Sequence, residues 1–191
     1  MATGPGTLTA DDVLELEVPE GAIGYELVDG RPVLVMSASL VHGRLIVQVA
    51  YLIERHVREH GLPGLVFSDA LFVLDLPRDR ERARGPDVMY VDSSKLAGHN
   101  FERAFRGIPD LAVEIDLASA KNPGGQQRIV DYVEAGVRLI WAIDPRSRTA
   151  TVFRPDGSAR LVRSDEVLDG EDVLPGFRLS LQELFGAVPG R

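Results

Sequence analysis

Leu111–Ala112–Val113–Glu114–Ile115 is an apolar run broken by a single acid. Short, nearly continuous apolar runs of this kind read as strands buried on both faces of a sheet. An ionised carboxylate there is costly unless a cation or a hydrogen-bond network offsets its lost hydration, so Glu114 marks either a site or a buried ion pair. Upstream, Pro86–Asp87–Val88–Met89–Tyr90–Val91 reads as a strand opened by an acid, and downstream Leu139–Ile140–Trp141–Ala142–Ile143 reads as another core strand. Between them Asn122–Pro123–Gly124–Gly125 breaks the chain, and a helix is predicted from about residue 126 to 135, ending at Gly136. The order strand, strand, helix, strand predicts one crossover within a mixed sheet.

Outward from this centre, Tyr25–Glu26–Leu27–Val28 and Arg31–Pro32–Val33–Leu34–Val35–Met36 flank Asp29–Gly30, a dipeptide suited to a type I′ turn, and predict a hairpin. From Leu40 to about His60, apolar residues recur at helical spacing in two rows, Leu45, Val49, Leu52 and Ile46, Ala50, Ile53, Val57, until Gly61 stops the pattern. Thr9 with Asp11 and Asp12 predicts a capped N-terminal helix. Residues 65–67 and 71–74 read as strand, and the RDRERARG stretch, 78–85, as a polar loop. Residues 149–153 and 159–162 around Pro155–Asp156–Gly157 predict a second hairpin, with a short helix near 181–185. The expectation is a single α/β domain spanning residues 1–191: a mixed sheet flanked by helices, with an N-terminal helix and hairpin and a C-terminal hairpin.

Composition narrows the chemistry. The chain of 191 residues is 45% apolar and carries a net charge of −8. Such a length buries roughly two-thirds of its unfolded surface, which suits one core. There is no cysteine, so a disulfide framework, a thiolate metal cluster and a cysteine nucleophile are excluded. Any metal must be held by oxygen or imidazole. No apolar run is long enough for a membrane span, and the opening segment turns acidic where a secretory signal would be basic and then apolar, so a cytoplasmic protein without membrane association is expected. The acidic balance argues against a broadly basic nucleic-acid-coating surface while leaving a local basic strip open. Asp87 is a natural second ligand beside Glu114, and two carboxylates with a backbone carbonyl and waters match the oxygen shell that Mg²⁺ prefers. The alternative is structural: Asp87 caps its strand and Glu114 pairs with a helix arginine.

YELVDG, GPDV, IPDLAVEI, DYVEAGV and WAIDPRSRTATVFRP, in this order and spacing from about Tyr25 to Pro155, resemble the bacterial Uma family of restriction-endonuclease-type proteins. The resemblance implies the PD-(D/E)XK nuclease fold, in which an Asp and a Glu on adjacent strands hold Mg²⁺, with Mn²⁺ as the alternative, and a lysine assists phosphodiester hydrolysis. Residue by residue, Asp87 matches the motif Asp, Glu114 the acidic position and Glu26 the upstream Glu; the carbonyl of Ile115 would complete the metal set. The chain departs from the pattern at the lysine. Asp116 stands where the general motif has it, and Arg128 stands at the helix position, four residues before Tyr132, from which the family supplies it. Arginine stabilises developing negative charge but cannot usefully give up a proton at neutral pH. Lys121, on the loop after the acidic strand, is the reserve candidate. Alternation would put Asp116 on the face of Glu114, although a turn cap suits it as well.

Other residues carry weaker signals. Glu26 is either solvent-facing or directed toward the metal waters. His42 could contact a phosphate or be satisfied at a helix end. His56 and His60 lack the HExxH arrangement and read as packing and surface residues. Arg78, Arg80, Arg82 and Arg84 could track a phosphate backbone, but the interleaved Asp79 and Glu81 favour a solvated loop. The expected activity is Mg²⁺-dependent hydrolysis of nucleic acid, DNA in the first instance, by a homodimer. The competing reading is a catalytically silent nuclease fold that binds nucleic acid or a protein. A two-carboxylate glycosidase is disfavoured because one tryptophan and few other aromatics are available to line a sugar cleft.

Overall fold

The computed structural model describes residues 8–116 and 124–186. In chain order the elements are α1 (Ala10–Leu14), β1 (Ala22–Val28), β2 (Arg31–Met36), α2 (Leu40–Glu59), β3 (Gly64–Phe67), β4 (Phe72–Val73), β5 (Ala83–Arg84), β6 (Val88–Asp92), β7 (Phe105–Arg106) and β8 (Leu111–Ile115). They continue with α3 (Gly125–Ala135), β9 (Leu139–Asp144), β10 (Thr149–Phe153), β11 (Ala159–Val162), β12 (Val167–Asp169), β13 (Arg178–Ser180) and α4 (Leu181–Gly186).

The central sheet has six strands in the order β11-β10-β9-β8-β6-β3. It is mixed: β8 and β9 are parallel, joined across α3, and the other pairs are antiparallel. One face packs on α2 and the C-terminal segment, through Leu45, Val49, Ile53 and Val57 against Val113, Leu139 and Trp141. The opposite face, with Met89, Ala112 and Ile140, packs on Ile129 and Tyr132 of α3 and on Phe72 and Phe105. The buried stripe of α2 therefore takes residues from both predicted rows. α3 stops at Gly136, whose φ of 85° is open to glycine at little cost, and the Val137 amide closes back on the Tyr132 carbonyl at 3.0 Å.

A second sheet, β2-β1-β5-β4-β7, was not expected. Its predicted part is the β1–β2 hairpin, in which Asp29 and Gly30 both have positive φ, as a type I′ turn requires. β4 falls inside the predicted run 71–74, while the unpredicted strands, β5 and β7, have two residues each, too short to show any periodicity. One of them, β5, lies inside the stretch read as a polar loop.

Candidate active site

The pairing register of the central sheet builds the site. Val88 of β6 faces Val113 of β8, so one step further Asp87 stands across from Glu114. Asp87, Met89 and Val91 alternate onto one face, as Ala112 and Glu114 do, and that face is the one covered by α3. Two like charges opposite each other on paired strands repel, so this register needs compensation. Asp87 Oδ2 accepts the Ile115 N–H at 2.6 Å and lies 3.2 Å from Nε2 of His42, at the start of α2. Glu114, 1% exposed, accepts two hydrogen bonds on Oε1, from Arg128 Nη1 at 2.9 Å and the Tyr132 hydroxyl at 2.6 Å.

α3 carries that pair because Arg128, Asp131 and Tyr132 share one helical face. Arg128 also donates through Nη1 to the Gly85 carbonyl at 3.1 Å, and its Nη2 lies 2.8 Å from Oε1 of Glu26 as an ion pair. Glu26 in turn accepts Arg84 at 2.7 Å and the Gly85 amide at 2.9 Å, and Arg84 reaches Asp131 at 2.6 Å. Asp131, fully buried, also accepts Arg78 at 2.5 Å. A continuous chain of alternating charge thus runs beneath the sheet, Glu114–Arg128–Glu26–Arg84–Asp131–Arg78.

Several sequence expectations are corrected by this network. Glu26 does not face solvent; it is 3% exposed and bound from three directions. The arginine stretch is not uniformly solvated: Arg82 and Arg84 are buried and turned inward, while Arg80 remains outside on Asp75. Alternation fails at Asp116, whose φ of 57° leaves the strand conformation. Its amide bonds the Ile143 carbonyl, and its Oδ1 lies 3.3 Å from Arg146 Nε without hydrogen-bond geometry. His56 is buried against the Pro175 carbonyl and stacks on His60, the packing role expected of the pair. Lys121 lies outside the described residues.

Burial pushes the Glu114 carboxyl up to about 7, against the lowering effect of Arg128 and helped by the Asp87 charge. Burial works against the charged form of His42 too, but the bond and charge of Asp87 outweigh it, and the imidazole pKa is raised above its usual value. Among the described residues no three His, Asp or Glu side chains are grouped to hold a metal. The donor set nevertheless fits a hard, partly hydrated cation: two facing carboxylates, each with one oxygen, Oδ1 of Asp87 and Oε2 of Glu114, that takes no hydrogen bond among the described residues. Among the described residues the buried Nδ1 of His42 and Oδ1 of Asp116 also have no hydrogen-bond partner.

Sequence reasoning did not single out Tyr132, Arg84 or Asp131 as site residues. The i, i+3, i+4 relation of Arg128, Asp131 and Tyr132 was the available signal for two of them. Removing the hydroxyl in Tyr132→Phe is expected to cost about 1.5–3 kcal/mol, the worth of a hydrogen bond to a charged partner, in a urea unfolding titration.

A mixed sheet flanked by helices, with one parallel crossover through α3, is the architecture of the restriction-endonuclease-like class. Residues 10–182 match the family described as “Putative restriction endonuclease” (Uma2), and the chain belongs to that family. The match extends beyond the stretch of resemblance in both directions, taking in α1 and the first residues of α4. The fold is shared with a crystal structure from Anabaena variabilis ATCC 29413, described as a “putative nuclease belonging to DUF820”, at a TM-score of 0.75 and 18% identity, covering 94% of this chain and 98% of that one. No curated protein matches the chain.

Proposed function

We propose that this protein is a metal-dependent nuclease that hydrolyses phosphodiester bonds in nucleic acid, DNA in the first instance, with Mg²⁺ or in its place Mn²⁺. The observation that carries the reading is the cross-strand pair Asp87–Glu114, each with one carboxylate oxygen lacking a hydrogen bond among the described residues, in a chain of this family. A bound divalent ion supplies Lewis-acid polarisation of the phosphate and a bound water of lowered pKa. The residues that hold it are Asp87, Glu114 and the carbonyl of Ile115. Arg128 fixes Glu114 by binding its other oxygen and balances the charge of Glu26. His42, kept cationic further up the pH scale by Asp87, adds positive charge at this edge, and Lys121 is the second candidate to meet the phosphate. We further propose that the chain forms one domain and acts as a cytoplasmic homodimer, since two copies of a one-site domain cut two strands. Among the described residues no helix is long and apolar enough to cross a membrane.

A second reading is supported by a specific observation: Arg128 already pairs with both Glu114 and Glu26, so these buried charges are compensated without a metal. That is what a catalytically silent nucleic-acid or protein-binding module requires. Calorimetric titration with Mg²⁺ and Mn²⁺, alongside a cleavage assay on single-stranded and duplex DNA, separates the two. Saturable binding of either ion at one site per chain, lost in Asp87→Asn, with metal-dependent cleavage is the expected result. Absence of both binding and cleavage would establish the silent module.

A further inference from the structure

A cavity of about 400 Å³ is lined in part by Phe67, Phe72, Phe101 and Phe105, on a chain with seven phenylalanines in all. Phe67 and Phe101 face each other with ring centroids 6.4 Å apart and planes 29° from parallel. That spacing is close to two of the ~3.4 Å steps at which bases stack along a strand. His99 stands edge-on to Phe101 and Phe105 at 5.8 and 4.9 Å and brings a ring nitrogen to the wall. Phe101 is 60% exposed, an unusual placement for a large aromatic that serves only the core.

The position ties the cavity to the site. Phe67 pairs with Met89, two residues along β6 from Asp87, a separation of about 7 Å on an extended strand. Asp69, in the cavity wall, is close enough to Asp87 for the two charges to interact. A nucleotide whose phosphate meets Asp87 and Glu114 can therefore extend its base to the Phe67–Phe101 slot. On a chain of net charge −8, few phosphates can be tracked by basic residues, and stacking supplies affinity that charge does not. A fully paired base inside a duplex cannot enter such a slot, whereas an unpaired one can.

We infer that the Phe67–Phe101 cavity binds an unstacked nucleobase of the substrate, so that the protein acts on nucleotides that are single-stranded or turned out of a duplex. The inference rests on the nuclease reading for its substrate, but the cavity can be tested separately. The probe is 2-aminopurine, whose fluorescence is quenched by stacking, placed centrally in a single-stranded DNA 12-mer, in the matching duplex, and opposite an abasic site in that duplex. Titrations use the full chain in EDTA, with wild type, Phe101→Ala and Phe101→Trp. The expected result is quenching with the single strand and the abasic duplex, at least tenfold weaker binding of the paired duplex, a further loss of about tenfold in Phe101→Ala, and recovery in Phe101→Trp. Quenching with the abasic duplex alone would assign the slot to flipped bases, and with the single strand alone to single strands.

Equal affinity for all three DNAs, or an affinity unchanged in Phe101→Ala, overturns the base-binding cavity. Because Phe101 is exposed, its replacement is not expected to unfold the chain, and a thermal melt verifies this. A protein that quenches the probe but never cleaves with Mg²⁺ or Mn²⁺ keeps the cavity and loses the nuclease reading. Cleavage that is indifferent to Phe101, without quenching, does the opposite, and absence of both removes the two together.

Discussion

Glu114→Gln is expected to lower metal-dependent cleavage by on the order of 10³-fold, because it removes one of two anionic ligands from a site whose charge stabilisation is worth several kcal/mol. Glutamine keeps the size and can still accept from Arg128 and Tyr132, so the fold should persist while the metal does not bind. The same substitution has a pH signature. The Glu114 pKa is raised by burial from 4.5 to about 7 in the folded protein. Its contribution to stability is therefore fully present below about 4.5, and is lost as pH rises through about 7, since the unfolded chain ionises this carboxyl more readily. Denaturant titrations between pH 4 and 8 should show that this falling component disappears in Glu114→Gln. Metal binding needs the ionised carboxylate, so the affinity of wild type for Mn²⁺ should weaken as pH drops below about 7. A cleavage rate in Glu114→Gln within a few-fold of wild type would remove Glu114 from the chemistry.

How far the sequence speaks depends on the kind of signal. Glu114 was legible because one acid inside an apolar run has no cheap solvation, and Asp87 because it opens the neighbouring run. Their direct opposition was not, since register is set by pairing between β6 and β8, which no local pattern encodes. The arginine stretch misled for a related reason. Alternating Arg, Asp and Glu looks solvated, yet Arg84 is buried because Glu26 and Asp131, 58 and 47 residues away in sequence, meet it, and Arg82 is buried where Asp29, 53 residues away, joins Asp79. A buried cation is affordable only with such partners, and partners that distant leave no mark on the stretch itself. Only β5 and β7 of the five-stranded sheet were hidden, being two residues long, and Asp116 leaves the strand at a positive φ, in line with the turn reading rather than with alternation.

Arg128→Ala is expected to destabilise the protein by about 3–5 kcal/mol, the cost of breaking a buried ion pair by removing one partner. The guanidinium is 7% exposed and is the bond between Glu114 and Glu26, so its loss leaves two buried carboxylates facing each other across the vacated space. Those carboxylates then relieve their repulsion by taking up protons, which makes the loss larger at pH 8 than at pH 5. Arg128→Lys keeps a charge beside Glu114 but cannot reproduce a planar fork that spans two carboxylates and the Gly85 carbonyl, so an intermediate loss of stability is expected. Activity should divide the two roles of this position. A lysine can sit as a compact charge and shift its pKa beside the attacking water, so on the nuclease reading Arg128→Lys retains or raises the cleavage rate while losing stability. On the silent-module reading both substitutions change stability alone. Urea unfolding and cleavage measured on the same three proteins resolve the roles: a stability change below about 1 kcal/mol in Arg128→Ala would mean that the buried network does not hold the site together, and an inert Arg128→Lys in an inert wild type would leave Arg128 as a structural cation.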